Sequence, residues 1–304
     1  MKIIKVEDIE DSIGFKIENK NLVDRIKNLN LEYEVLNKEE YASYIENYKN
    51  VLNSDLVKAG EARQNQWQNG WAENLEEFKL SGQFSDLIPK YHKKNNIAKF
   101  QGKIIKTFVK DFDYHLNSFF VDAFLLKLGV SFDKIFEFGC GTGYHLFRLQ
   151  KEFLEKQFYG LDWAESSQES IVSYCSVNNI KNIKALNFNY FYPDYSIDIE
   201  DSCVYTVASL EQIGEKHDKF IDFLLQKKPS LCVNFEPIEE VLDENDLIDN
   251  LTIKYFNKRN YLKNYLTKLK ALEQEGKLEI LTVKRLRYGS KFIEGHTLII
   301  WKPL

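Results

Sequence analysis

The 304-residue chain has no apolar run approaching the roughly 20 residues of a membrane-spanning helix. Its mean hydropathy is −0.41. It starts Met-Lys-Ile-Ile-Lys-Val-Glu-Asp, with acids where a signal peptide carries its apolar core, so a cytoplasmic protein without membrane association is expected. Positive charge is also short. The 41 Lys and Arg stand against 46 Asp and Glu, the net charge is −5, and no basic run is long enough to track a phosphate backbone. That excludes nucleic acid as a partner and leaves a small-molecule substrate. The 4 cysteines, Cys140, Cys175, Cys203 and Cys232, are scattered without zinc-type or disulfide-frame spacing and read as reduced core thiols. No spacing of acids or histidines defines a metal site. With a single Met, the 17 Tyr and 22 Phe fill the core instead.

What is present centres on residues 135–149, Ile-Phe-Glu-Phe-Gly-Cys-Gly-Thr-Gly-Tyr-His-Leu-Phe-Arg-Leu. This reads as a buried strand, a glycine turn and a helix start. Gly139, Gly141 and Gly143 sit two apart, so the backbone can turn tightly and approach a ligand, while Leu146 and Leu149 begin a helical stripe. A dinucleotide fingerprint would place its third glycine one residue later, which disfavours a nicotinamide enzyme. Residues 158–163, Phe-Tyr-Gly-Leu-Asp-Trp, form a second short strand ending in Asp162, about 20 residues beyond the turn, where a doubly wound sheet places its next ligand-facing acid.

With Glu137 closing the first strand and Asp162 the second, the stretch resembles motif I of the class I S-adenosylmethionine-dependent methyltransferases. The resemblance implies an α/β fold with a seven-stranded Rossmann-like sheet and a terminal antiparallel hairpin, and S-adenosylmethionine as cofactor. It implies further that the glycine turn passes under the methionine part, Glu137 faces the ammonium, and Asp162 holds the ribose hydroxyls. Cys140, Trp163 and Ala208 belong to the same cofactor set. Exposed amides at the helix start would suit the methionine carboxylate. Asn189 is the candidate for the adenine amino group, with Phe188 beside the purine face.

The rest of the chain fits this order. Residues 117–304 form the cofactor domain, with an insertion at about 238–276. Residues 117–128 read as an amphipathic helix, and residues 182–187, 202–208 and 229–235 as further strands. The closing hairpin joins residues 278–286 to 295–301 through a turn at Tyr288-Gly289-Ser290. Residues 1–116 lie outside the resemblance as a mostly helical accessory or lid region. They hold a strand-like start at 3–6, helical periodicity over 39–82 and a strand pair near 97–100 and 104–108. Within them, residues 67–74, Trp-Gln-Asn-Gly-Trp-Ala-Glu-Asn, place two tryptophans beside amides around a helix-breaking glycine.

Methyl transfer from a sulfonium is an in-line displacement, so positioning dominates, and a hydroxyl acceptor also needs a general base. His145, Glu211, His217 and Glu236 are the base candidates at the carboxyl rim; an acid ending an apolar strand is costly unless it meets a ligand or partner. Trp71, Asn74, Tyr91, Arg259 and Tyr261 are the candidates for acceptor binding. The sequence points to O-methylation of a small polar acceptor such as a sugar or nucleotide-linked sugar, loosely like bacterial surface-polysaccharide enzymes. N-methylation of a small molecule is disfavoured, because Ser209-Leu210-Glu211-Gln212 replaces the Asn/Asp-Pro-Pro-aromatic run of amino-methylating enzymes. A non-catalytic cofactor-binding subunit stays open. The aromatic N-terminal region would serve a homodimer interface as readily as a lid.

Overall fold

In the computed structural model, which describes residues 1–93, 96–293 and 296–304, the chain opens with β1 (Lys2–Ile3), α1 (Val6–Ile13) and α2 (Lys20–Leu29). Val6, read as strand, starts α1. Asn19 caps α2 by accepting from the Leu22 amide at 2.8 Å. After β2 (Glu32–Val35), Asn37 and Glu40 close a capping box on α3 (Lys38–Asn53). α4 (Gln64–Ser81) runs through Gly70 without a break, because a lone glycine costs only about 1 kcal/mol in a long docked helix, and ends at left-handed Gly82. β3 (Ile97–Phe100) and β4 (Lys103–Thr107) complete this region.

α5 (Phe112–Gly129) is buried nearly all round rather than amphipathic. Both of its flanks are covered: Phe124 packs on Phe15 from the N-terminal side and on Phe235 from the main sheet. The helix starts at Phe112 and so spans the division drawn at residue 117.

The main sheet is built from β5 (Lys134–Phe138), β6 (Gln157–Asp162), β7 (Ile183–Asn187), β8 (Cys203–Val207) and β9 (Leu231–Glu236), all parallel. The helices α6 (Tyr144–Gln150), α7 (Glu165–Val177) and α8 (Asp218–Lys227) connect them. The insertion folds as α9 (Leu247–Arg259) and α10 (Tyr265–Gln274). Then come β10 (Leu278–Arg285), β11 (Tyr288–Ser290) and β12 (Thr297–Pro303). Gly295, expected to open the last strand, lies outside the described residues.

Strand order is β10-β12-β9-β8-β5-β6-β7, with β12 antiparallel to both neighbours. The chain steps outward from β5 to β7 and then returns to β8, so the order reverses between β5 and β8, where open α/β sheets bind ligands. The residues expected as a hairpin turn are instead β11. It pairs with β3, closing a second sheet of order β1-β2-β4-β3-β11. Tyr288 explains the excursion: its ring stacks on Phe120 at 4.2 Å and its hydroxyl donates to Asn117 Oδ1 at 2.7 Å. All four cysteines are buried and free. Among the described residues, no helix is long and apolar enough to cross a membrane.

Candidate active site

One cavity opens at the carboxyl ends of β5, β6 and β8. Gly139, Cys140 and Gly141 form its floor. Gly139 has φ +68° and Gly141 φ +55°, and side chains leave no room at either. A Cβ at Gly139 would run into Ser209, and one at Gly141 would stand 3.0 Å from the Trp71 indole. Gly143, at φ +82°, turns the chain into α6 against Ile171 and Phe147, away from the cavity lining. The amides of these three floor residues are not free for an anion. Those of Gly139 and Cys140 donate to the Leu161 carbonyl (2.7 and 3.1 Å), and that of Gly141 to Asp162 Oδ2 (2.9 Å).

Two buried carboxyls face this floor from adjacent strands. Glu137 is 1% exposed and accepts the Tyr205 hydroxyl at 2.9 Å. Burial pushes its pKa up to about 8. Asp162 accepts from the Gly141 and Ala164 amides, each at 2.9 Å, yet burial still raises it to about 6. Among the described residues, neither carboxyl has an ion-pair partner. Aromatic walls complete the cavity. Trp67 stacks on Trp71 at 5.3 Å, Tyr91 meets Trp67 edge-on, and Trp163 lies over Phe191 beside Phe188.

His145 also lines the cavity, and its partners fix its protons. Arg148 Nη2 lies 2.8 Å from His145 Nδ1 and can only donate, so Nδ1 is the acceptor and the neutral ring carries its hydrogen on Nε2. Burial holds the ring well below the usual histidine range. Among the described residues Nε2 is buried without a partner, a donor facing a ligand site. Arg148 is fixed by two bonds to Asp122 (2.9 and 3.0 Å), and Arg25 of α2 reaches the same carboxylate at 2.6 Å. The N-terminal region thus positions a cavity residue through three side chains.

The other base candidates stand farther back. Glu236 ends β9 and accepts the amides of Ser209, Leu210 and Glu211 (3.1, 3.2 and 3.3 Å), which fixes the turn after β8. Glu211 sits behind the cavity residue Gln212, whose Nε2 donates to Oε1 at 2.8 Å. Its Oε2 is buried without a partner, and burial raises the group to about 8. His217 lies outside the lining: Nε2 donates to the Lys263 carbonyl at 2.8 Å and the ring packs edge-on against Tyr265.

Asn189 turns its Oδ1 back to the Phe191 amide at 2.9 Å and does not line the cavity. Asn74, 1% exposed, donates to the carbonyls of Asp86 and Ile88, a structural tether. Ala208 lines the cavity with φ +48°, a left-handed conformation unusual for alanine. Trp71 and Tyr91 line it too. Arg259 ends α9 and Tyr261 follows its cap, and neither lines the cavity. Sequence reading missed Tyr190, whose hydroxyl lies 2.9 Å from Ser209 Oγ, and Arg63, whose Nη1 donates to Gln212 at 2.6 Å. The aromatic run after β7 is a signal for Tyr190; for Arg63 there is none.

No protein-family model and no curated protein sequence matches the chain. Among solved structures, the [4+2]-cyclase SpnF is similar at 12% identity, covering 82% of this chain and 98% of its own, with a TM-score of 0.52. Magnesium protoporphyrin IX methyltransferase from Synechocystis PCC 6803, with bound SAH, is fainter, at 14% identity, 64% and 86% coverage and a TM-score of 0.47. A SAM-dependent methyltransferase from Aquifex aeolicus stands at 15%, 60% and 88%, and 0.40. Likeness at these identities establishes a fold and leaves activity to be argued from the site. The strand order and the single antiparallel β12 give this chain the class I methyltransferase fold.

Proposed function

We propose that the chain is an S-adenosylmethionine-dependent methyltransferase that methylates a hydroxyl of a small polar acceptor, a sugar or nucleotide-linked sugar being the first choice. One observation carries this reading: Glu137 and Asp162 are buried at one glycine-floored cavity, and among the described residues neither is ion-paired with a protein cation. Buried carboxyls are costly unless a partner meets them, and a ligand bringing a positive charge and vicinal hydroxyls answers both. Glu137 would take the ammonium. Asp162 spends one lone pair of each oxygen on an amide and keeps others for ribose hydroxyls. Phe188 and Trp163 offer faces to the purine, and His145 Nε2–H suits the carboxylate that the occupied floor amides cannot take.

When bound, S-adenosylmethionine supplies an electrophilic methyl group on a sulfonium. The chain's own work is to position the acceptor, exclude water with its aromatic wall and accept a proton. Glu211 is the preferred base, because its Oε2 is buried and unpartnered among the described residues while the oxygens of Glu236 are committed to backbone amides. It acts from the ionised fraction that grows as pH rises toward 8. Calorimetric titration with S-adenosylhomocysteine, with NAD as comparison, tests the cofactor. S-adenosylhomocysteine alone is expected to bind, and Asp162→Ala to weaken it by roughly 1–2 kcal/mol. Binding of NAD alone, or of neither ligand, would overturn the assignment.

A further inference from the structure

We propose that Arg63 and Arg259 form an anion pocket beside the cavity and that the methyl acceptor carries a phosphate group there; this rests on the methyltransferase reading. Three distant segments are stitched together at this point. The Ala59 amide donates to the Arg259 carbonyl at 2.7 Å, and Asn260 Nδ2 returns a bond to the Ala59 carbonyl at 3.1 Å. Gly214, closing the turn after β8, lies so near that a Cβ there would meet Asn260 Nδ2 at 2.8 Å.

Both guanidiniums are held in place without being neutralised. Arg63 is 8% exposed, lies over the Trp67 ring at 4.9 Å, and donates to the side-chain oxygens of Gln66 (3.0 Å) and Gln212 (2.6 Å). Trp67 and Gln212 both line the cavity, so Arg63 stands directly behind its wall. Arg259 lies over Tyr261 at 5.2 Å and donates Nη2 to its hydroxyl at 3.3 Å, while its Nε is buried with no partner. Among the described residues, neither has a carboxylate partner, whereas the half-buried Arg25, Arg148 and Arg285 are all ion-paired.

Burial, and next the like charge of Arg259, weaken the hold of Arg63 on its proton. The nearby Glu211 carboxyl, raised to about 8 by burial, carries little negative charge at neutral pH. Among the described residues the buried Arg63 is therefore left without a counterion, an expensive arrangement unless a ligand supplies one. The half-buried Arg259 beside it stays positively charged, because burial is outweighed by the facing Tyr261 and Tyr255, which strengthen its hold on the proton. A phosphate group carries about −1.5 to −2 at pH 7 and can answer both guanidiniums, whereas a carboxylate accepts the same bidentate bonds but brings only a single charge.

The full chain, titrated at constant ionic strength with inorganic phosphate and separately with acetate, tests this, with thermal midpoint and tryptophan fluorescence as readouts. Phosphate is expected to stabilise the protein saturably and to perturb Trp67, and Arg63→Gln and Arg259→Gln each to weaken it by about tenfold or more. Arg63→Lys, which keeps the charge, should lose less. S-adenosylhomocysteine affinity, measured on the same proteins, should be unchanged. The pocket assignment falls if phosphate has no saturable effect on the wild type, if both Gln variants bind it normally, or if acetate binds as tightly. Arginine-dependent phosphate binding in a protein that ignores S-adenosylhomocysteine would keep the pocket and remove the methyltransferase reading.

Discussion

Glu137 is a carboxyl that the fold has taken out of water with no ion-pair partner among the described residues, and its proton reports what binds there. With its pKa raised to about 8, it is largely protonated in the free protein at neutral pH. A cationic ligand favours the ionised form, so binding expels a proton and affinity should rise with pH from 6 to 7.5, by up to about tenfold per unit. Calorimetry with S-adenosylmethionine across that range checks it, and Glu137→Gln should bind more weakly and flatten the slope. An unchanged slope in that variant would take Glu137 out of the ammonium role. Such residues were legible because strand, turn and helix are neighbours in sequence: Glu137, Gly139 and Gly141 announce themselves within five positions. Arg63 was not, since its partner Gln212 is 149 residues away and nothing local marks a lone arginine before a helix. His145 was legible as a rim residue, whereas its role as a fixed donor depends on Arg148 and Asp122, which only the folded chain brings together.

α4 shows how an element of low local character becomes part of a site. Its Trp67 and Trp71 cover the glycine turn, and Gln68 bonds through its carbonyl to Ser166 Oγ at 2.7 Å at the start of α7. On its other side, Asn74 holds the carbonyls of Asp86 and Ile88, and so the segment leading to Tyr91. Asn74→Ala leaves both carbonyls without that donor and should cost roughly 1–3 kcal/mol in urea unfolding, with weaker ligand binding as the Tyr91 segment loosens. Unchanged stability would mean that the tether is replaced by water. The tryptophan cluster was visible in the sequence, but Gly70 was misleading, because docking against α7 outweighs its poor helix propensity. The same contrast runs through the sheets. The central parallel strands β5, β8 and β9 are largely apolar and buried, and the parallel strands were read to within about two residues. The second sheet consists of strands of two to five residues and takes β11 from the far end of the chain, where Gly289 and Ser290 look like a turn. Likewise, α5 shows no polar face only because two layers cover it.

The molecule as a whole buries titratable groups of both kinds, and their signs set a stability profile. Burial raises Glu137 and Glu211 to about 8, Glu236 and Asp113 to about 7, and Asp162 to about 6. Each such carboxyl contributes stability that is full below its unfolded pKa and is lost as pH rises through the folded value. Burial also lowers His92 to about 3 and His115 and His296 to about 4, and these contribute stability that is lost as pH falls below the unfolded value near 6.5. Between about pH 4.5 and 6.5 the two sets oppose each other. Above 6.5 the histidines are neutral in both states, Asp162 is mostly ionised, and the four remaining carboxyls act alone. Each lowers stability by up to about 1.4 kcal/mol per pH unit while it stays protonated in the native state. The ligand-free protein should therefore lose about 5 kcal/mol between pH 6.5 and 8, measured by urea unfolding. Glu211→Gln should shallow that loss, because its amide has no proton to surrender. A cationic ligand at Glu137 should offset part of it, so the stabilisation by S-adenosylmethionine grows as pH rises toward 7.5. Stability that stays flat or rises from pH 6.5 to 8 would show that the buried carboxyls have found counterions in solution, and with that the argument for a cation-seeking cavity would fail.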